Sequence, residues 1–588
     1  MRGTLDSEQC VTENDSGPPV AELIARVLRR HSVERVFGLC GGHIMPLWIG
    51  VHTAGIPIID VRDERAAVHM AQAHAELTGQ LGVALVTAGP GITNAITGIA
   101  NAQISRAPVL VLSGTVPGPQ INRGALQELD QSNLVRSITM YASTVSDSLQ
   151  ALYEVENAAA RALGLIGEPG CAFVDFRADV WAAQSSPASQ VPLKIQLRIP
   201  TCLDKDVISQ AVELLLSAKR PLVISGRGAR SAKQTLLRFL DRLDVAYIDT
   251  GETRGLVPAT HPAFVGAVRS RVMNEADVVV TVGRRLDFQL AYGSPAIFKH
   301  ARFIRIADIP SELRDNRRGV VEIFADPGES LDAIIELAGN RPVVRDRQWL
   351  RSLRQEHRLR SEQLSQTMAN AAPGSDGRMH PYRLLGAIQA QLPPDAILVI
   401  DGGDFLSFAR IGLSAPTVLD PGAFGCIGVG VPYGIAASLA CPERSVVVAS
   451  GDGAFGFNAM ELDTAVRHKA RAVFIVGNNG AWQIEVHDQM VRYGKSVGTR
   501  LRFSDYAAMA RAFGMRAERI EDANDLAGAI TRALAQPPAL LDVVITPEAV
   551  SPDAKSGLAT VPDLQALAVW DQAEREWRAR PARVTLED

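Results

Sequence analysis

Short apolar runs rich in β-branched residues recur along the chain, each closing on Gly, Pro, Asp or Asn. They are "VALVTAGPG" (83–91), "PVLVLSG" (108–114), "PLVISGRG" (221–228), "ADVVVTVG" (276–283), "AILVIDGGD" (396–404), "SVVVASGDG" (445–453) and "RAVFIVGNN" (471–479). Helix-length segments rich in Ala and Leu separate them. An apolar run of this length, bounded by turn residues, predicts a strand buried on both faces. Its alternation with helices predicts parallel sheets covered on both sides. The expected fold class is therefore α/β, with three doubly wound parallel-sheet domains and a C-terminal tail. In such folds ligands sit beyond the carboxyl ends of the strands, where these Gly, Asp and Asn tips fall.

The pattern breaks at "AQSSPASQVP" (183–192) and at "ANAAPGSDGRMHP" (369–381), both rich in small and turn residues. The expected organisation is a polar tail over 1–18, domains over 19–186, 195–345 and 381–547, a helix and linker over 346–380, and a C-terminal lid segment over 548–588. The charged stretch "DRQWLRSLRQEHRLRSEQLSQ" reads as a helix with a solvated face. At 588 residues the chain is too long for one core. Hydrophobic residues make up 47% and charged residues 21%, the balance of a soluble globular protein. A net charge of −4 gives no electrostatic reason to expect nucleic acid or an anionic membrane as partner. No apolar run is long enough to span a bilayer, and the opening residues lack an apolar signal core, so a cytoplasmic location is expected. The six cysteines have no paired ligand spacing, which argues against a zinc site or a disulfide framework.

Asp452 stands between two glycines at one strand tip, and an Asn pair closes the next strand. The carboxylate offers a hard oxygen, while the amides of Gly453 and Ala454 open the following helix and can face phosphate oxygens. A divalent cation bridging to that phosphate needs further oxygens, which the Asn479 side chain and the Ala481 carbonyl can supply. Alone, "GDG" reads as a turn and "NN" as a strand cap. Separated by one helix and one strand, they form a specific combination for a magnesium-diphosphate site.

This segment resembles the diphosphate-binding motif of thiamine-diphosphate enzymes. "DVRDERAAVHMAQAHAELTGQLGVALVTAGPGITNAITGIANA" likewise resembles the pyrimidine-binding domain of the acetolactate synthase group, and the likeness runs from Ala21 to about Pro547. The resemblance implies thiamine diphosphate and Mg2+ as cofactors, with Glu64 as the activating glutamate and Asp452, Asn479 and Ala481 as metal ligands. It implies Ile427 as the bulky residue that props the cofactor in its bent shape. It places Gly41, Gly42, Pro90, Asn94, Gly403, Asp404, Phe405, Gly425, Gly453, Ala454 and Trp482 around the cofactor. A carboxyl hydrogen-bonded to the aminopyrimidine favours the imino tautomer, whose nitrogen can take the thiazolium proton. Burial beside an uncharged ring is expected to raise the Glu64 pKa. Without the downstream match, Asp63 and Glu64 read as a solvated strand end. In this family the cofactor lies between two chains, which implies at least a homodimer and favours a homotetramer.

Within the family, "GGHI", "NRGALQELDQ", "DGGDF" and "LDPGAFG" resemble the acetolactate synthase-like branch of 2-hydroxyacyl-CoA lyases. That resemblance implies an acyl-CoA substrate, cleaved to formyl-CoA and an aldehyde or ketone. Glu485 is then the base for the 2-hydroxyl and His43 shares that work or bonds the intermediate, unless its role is structural. Gln127 is a neutral donor to developing oxyanion charge, or a helix-surface amide. Acetolactate synthase-type carboligation of pyruvate is the alternative activity, and a non-catalytic relative the alternative class. The middle domain resembles the segment that binds FAD in synthases and ADP in oxalyl-CoA decarboxylases and 2-hydroxyacyl-CoA lyases. Gly226, Arg285, Asp308 and Asp326 are its candidate contacts or plain turn residues. Glu168, before Pro169, stands where relatives often carry Arg, which weakens that expectation.

Overall fold

The computed structural model describes residues 17–185, 195 and 203–556, with isolated positions beyond. Residues 1–16 of the tail expected over 1–18, most of the first linker, and the lid segment past Ser556 lie outside the described residues, while Gly17 and Pro18 exchange main-chain hydrogen bonds with Ser185 at 3.2 Å. The chain divides into two compact units, residues 1–197 and 198–588.

The first unit holds one six-stranded sheet. Its strands are β1 (Val36–Gly38), β2 (Ile58–Asp60), β3 (Gly82–Val86), β4 (Val109–Thr115), β5 (Tyr141–Val145) and β6 (Cys171–Arg177), in the order β2-β1-β3-β4-β6-β5 with every pair parallel. β3, β4 and most of β6 are buried, as both-face covering by helices requires. The Trp181 indole lies on Phe176 with centroids 4.2 Å apart, inside this core. Buried Glu156 accepts from His31 Nε2 at 2.9 Å and from the Ile195 amide at 2.6 Å, fastening the end of the first helix and Ile195, where the central domain was expected to begin, to the helix Ser148–Ala162.

The second unit contains two parallel sheets. One comprises β7 (Pro221–Ser225), β8 (Ala246–Ile248), β9 (Val278–Val282), β10 (Arg302–Ala307) and β11 (Val321–Phe324), in the order β11-β10-β9-β7-β8. The other comprises β12 (Ile397–Asp401), β13 (Thr417–Leu419), β14 (Val446–Gly451), β15 (Ala472–Asn478), β16 (Arg516–Ile520) and β17 (Ala539–Val544), in the order β13-β12-β14-β15-β17-β16. All three sheets begin alike: the first strand lies between the second and the third. The chain therefore reverses direction across the sheet at β1/β3, β7/β9 and β12/β14. Those three switch points are where a crevice opens beyond the strand ends.

Two expectations need correcting. The stretch between β14 and β15 is two short helices, Asp452–Phe457 and Glu461–Arg467, rather than one. Asn458 breaks the run with a non-helical backbone, and its side chain bonds a distant loop instead. The charged helix, Arg347–Asn370, is more than a solvated face. Trp349, Leu350 and Leu353 are buried in the core beside β7 and β9, and Met368 in the core of the third sheet. Each such side chain contributes roughly 1.5–3 kcal/mol. The helix thus anchors at both ends, while its charged residues form pairs such as Arg271–Glu356 at 2.5 Å. Among the described residues, no helix is long and apolar enough to cross a membrane.

Candidate cofactor and active site

In the first unit the site grows from the β1 and β3 tips. β3 ends at Val86, and Thr87-Ala88-Gly89 leads into the helix Pro90–Ile104. Glu64 is not on a strand end. It is the first residue of the helix Glu64–Thr78, capped by Asp63, which accepts from the Arg65 amide at 2.9 Å. The Glu64 side chain is buried, and its Oε2 accepts from Asn94 Nδ2 at 3.0 Å. Asn94 therefore spends its amide on Glu64 rather than standing apart as a separate contact. A Cβ added at Gly91 would lie 3.4 Å from Glu64 Oε1, and one at Gly41 would meet Thr87 Oγ1 at 2.5 Å. Gly41, Thr87, Gly91, Asn94 and Glu64 thus form one cluster. The Thr87 hydroxyl in it is buried without a hydrogen-bond partner.

A second group lies beside it. The His43 carbonyl packs on Gly114 of β4 so closely that a Cβ there would collide with it. His43 is half-buried, and its Nδ1 is enclosed without a partner. Gln127 is on a loop, with φ +63°, not on a helix surface. Glu128 shapes that loop by accepting from the Gly124 and Ala125 amides at 3.0 and 3.1 Å. The Gln127 backbone lies against Gly89, where a Cβ would sit 2.9 Å from the Gln127 carbonyl. The fastening between them is Gln131. Its Oε1 accepts from Gly89 N at 2.6 Å, and its Nε2 donates to Gly114 O at 3.0 Å and to Asp175 Oδ2 at 2.8 Å. Burial pushes the Asp175 carboxyl up to about 6. Sequence reasoning missed Gln131 and Asp175, because nothing local marks a Gln four residues past Gln127 as facing inward. Gly42 and Pro90 are exposed, and a Cβ at Gly42 would meet open space.

In the second unit the third sheet carries Asp452 and the Asn478–Asn479 pair at its strand tips. Asp452 is buried, and its Oδ2 accepts from Gly480 N at 3.0 Å. Desolvation raises its carboxyl to about 7, and the surrounding amides offset this in part. Asn479 is buried nearby, its Oδ1 accepting from Ala481 N at 3.2 Å. The other member of the pair turns away from the tip, and Asn478 Nδ2 donates to Ser504 O and Asp542 Oδ1, both at 2.9 Å. Among the described residues, no cluster of three His, Cys, Asp or Glu could hold a metal. A cation here would rely on one carboxylate, one amide oxygen, a main-chain carbonyl and oxygens of its ligand. That donor set suits Mg2+ rather than zinc.

Trp482 caps the helix Gln483–Tyr493, and its indole lies over Gly453, near the Phe457 ring at 6.0 Å. Strand-like pairing holds this corner, with Trp482 N donating to Thr499 O at 2.9 Å and Leu501 N to Gly480 O at 2.7 Å. Gly403 faces Ile484, whose Cγ2 would be 3.3 Å from an added Cβ. Ala454 is buried in the second helical position after Asp452. Glu485 is exposed on the first turn of Gln483–Tyr493, its carboxyl raised by partial desolvation and by Asp488. Ile427 is half-buried, and Gly425 is exposed with φ +67°.

Two residues assigned to the cofactor have their side chains engaged elsewhere. Phe405 is a core residue, its ring pressed against Gly477 of β15. Asp404 accepts from the hydroxyl and amide of Ser551, and burial lifts its carboxyl to about 6.

At the β7/β9 switch point, Gly228 N donates to Gly283 O at 3.2 Å and Gly226 N to Val282 O at 2.9 Å. Arg285 and Asp308 are exposed, and Asp326 is the N-cap of the helix Pro327–Ala338, accepting from Glu329 N at 3.0 Å. The built arginine is the neighbour, Arg284, buried and paired with Asp287 at 2.8 Å and Glu252 at 3.3 Å. Arg227 holds its Nε and Nη2 in the interior without a hydrogen bond, Nη2 standing 3.9 Å from Glu312. Sequence position alone did not separate Arg284 from Arg285.

Buried Glu64 in one unit and buried Asp452 and Asn479 in the other are groups that a thiamine-dependent enzyme would use, and family comparison gives that class. Residues 19–134 match the N-terminal TPP binding domain of thiamine pyrophosphate enzymes, 208–334 their central domain and 403–543 their C-terminal TPP binding domain. The chain belongs to this family, within the group that holds both acetolactate synthases and 2-hydroxyacyl-CoA lyases. It is 35% identical over 540 residues to an acetolactate synthase large subunit of Mycobacterium tuberculosis, covering 90% of this chain and 96% of the relative. It is 34% identical over 543 residues to 2-hydroxyacyl-CoA lyase 2 of Mus musculus, covering 84% of each. It is 30% identical over 552 residues to 2-hydroxyacyl-CoA lyase 1 of Mus musculus, covering 90% and 94%.

Proposed function

We propose that this enzyme is a 2-hydroxyacyl-CoA lyase that releases formyl-CoA and an aldehyde or ketone. The observation that carries this reading is Glu485, an exposed carboxyl with a raised pKa on the first turn of the helix that follows Asn479 and Trp482. Bound thiamine diphosphate supplies a carbon nucleophile and an electron sink. Glu64 would hold the aminopyrimidine in its imino form, and Asn94 steadies the carboxyl by donating to Oε2. Asp452, Asn479 and the Ala481 carbonyl would hold Mg2+, and the Gly453 and Ala454 amides would offer donors to the diphosphate. Glu485 accepts the 2-hydroxyl proton as the bond between C1 and C2 breaks. C2 leaves as the carbonyl product, and Glu485 returns that proton to C1, which departs as formyl thioester. Gln127 would donate to the substrate's C1 oxygen, and His43 would bond the substrate hydroxyl.

The working unit in this reading is a homodimer at least, two chains supplying the Glu64 half and the Asp452 half of each site, and a homotetramer is the favoured assembly. In this reading the central domain takes ADP or FAD, and Arg227, whose Nε and Nη2 lack a hydrogen-bond partner although Glu312 lies 3.9 Å from Nη2, is a candidate phosphate contact, as is exposed Arg285. Released ADP, found by mass spectrometry of denatured protein, supports that site.

A second reading, carboligation of pyruvate, is favoured by the 35% identity to an acetolactate synthase subunit. Incubation with 2-hydroxyisobutyryl-CoA or a long-chain 2-hydroxyacyl-CoA, and separately with pyruvate, decides between them. Formyl-CoA from the thioester supports the lyase. Acetolactate without thioester cleavage overturns it.

A further inference from the structure

Ile427 precedes a stretch of main chain that is held from two sides. Asp401, fully buried at the end of β12, accepts from Gly402 N at 2.7 Å, Gly428 N at 3.0 Å and Gly430 N at 2.7 Å. From the other side, Asn458 Nδ2 donates to Gly428 O at 2.6 Å. Asn458 closes the helix that Asp452 opens. Gly428 adopts φ +96°, and a Cβ there would lie 2.6 Å from Phe457 Cβ, so the loop fits only by close approach to that helix. A helix of six residues spans about 9 Å and does not stretch, so its first carboxylate and its capping amide keep a fixed separation.

We propose that Asp401 and Asn458 are positioning residues that set the level of Ile427 relative to Asp452. One short helix then fixes the cation at one end and the apolar prop of the cofactor at the other. This rests on the roles of Ile427 and Asp452 in the reading above. Three amide donors converge on a single buried carboxylate, so losing its acceptor character frees both glycines after Ile427 at once. The prop then drifts while the diphosphate grip remains. A misplacement of about 1 Å can cost 100-fold in rate.

The test uses the full-length protein with thiamine diphosphate and Mg2+ and no substrate. Asp401→Asn turns one acceptor into a donor facing the glycine amides, and Asn458→Asp turns the donor to Gly428 O into an acceptor. Ile427→Ala is the reference. Calorimetry gives cofactor affinity, and acid-quenched NMR gives the rate at which the bound thiazolium exchanges its C2 proton. We expect affinity within about fivefold of wild type and exchange slowed about 10- to 100-fold in all three variants. If Asp401→Asn does not fold, Asn458→Asp carries the same comparison. Wild-type exchange in Asp401→Asn and Asn458→Asp, with slow exchange in Ile427→Ala, overturns the positioning role and leaves the prop intact. Wild-type exchange in Ile427→Ala overturns the prop, and the inference with it. Parallel losses of affinity, exchange and thermal stability would show a merely structural role and also overturn it.

Discussion

The Trp482 indole rests on Gly453 with no room for a side chain between them: a Cβ at residue 453 would lie 2.5 Å from Cζ3. Gly453 follows Asp452 directly, so the ring that caps one helix presses on the start of another. Gly453→Ala must displace the indole or the helix, an overpacking cost of about 1–3 kcal/mol. The expected outcome is a red-shifted tryptophan emission and about tenfold weaker binding of thiamine diphosphate by calorimetry. An unchanged emission spectrum with wild-type affinity would show that the contact is not tight.

Asn94 and Glu64 share one hydrogen bond at 3.0 Å. Glu64→Gln is expected to lower turnover by about 100-fold or more, with thermal stability and most cofactor affinity kept. Asn94→Leu removes a donor to a buried carboxylate, at about 1–3 kcal/mol, and leaves the acid in place. Its turnover is expected to fall less than that of Glu64→Gln. Steady-state rates paired with melting curves order the two variants, and the reverse order would contradict this assignment.

The two asparagines at the end of β15 should separate cleanly. Asn479→Ala is expected to weaken Mg2+-dependent cofactor retention at least tenfold with little effect on melting. Asn478→Ala breaks the bonds to Ser504 and Asp542 and is expected to destabilise by about 1–3 kcal/mol. Gel filtration followed by cofactor assay, with and without a chelator, reads the first effect. Urea unfolding reads the second.

His74 is buried in the helix Glu64–Thr78, both ring nitrogens without partners, beside the Phe37 ring. Burial lowers its pKa to about 4, with Arg35 adding to the shift and Glu34 opposing it. The folded value lies below the unfolded one of about 6.5, so the unfolded chain binds the proton first as pH falls. The stability His74 confers is full above pH 6.5 and drains away between about 6.5 and 4, by an amount on the order of 3 kcal/mol. His74→Phe is expected to narrow the difference between urea midpoints at pH 7.5 and pH 5. An undiminished difference would place the acid sensitivity elsewhere.

The seven apolar runs read as strands all lie in the sheets, as β3, β4, β7, β9, β12, β14 and β15, because burial on both faces leaves an uninterrupted apolar signature. Several of the others are short or half-polar, Ile58–Asp60 and Arg516–Ile520 among them, while β6 and β17 are buried interior strands interrupted by Asp175 and Asp542. Asp452 and Asn479 stood out in the sequence because each lies beside glycine at a strand tip, whereas Glu64, flanked by Asp63 and Arg65, was marked only by the family resemblance. Asp401, Asn458 and Gln131 did not stand out, because each acts on main chain 29, 30 or 42 residues away. The same distance hid the difference between Arg284 and Arg285, and between Phe405 as a cofactor contact and Phe405 as core. Local sequence determined which elements form and which groups stand at their ends. Only the packing of one strand tip against another decided where those groups point, since a hydrogen bond across the fold is fixed by tertiary geometry and leaves no periodicity in the chain.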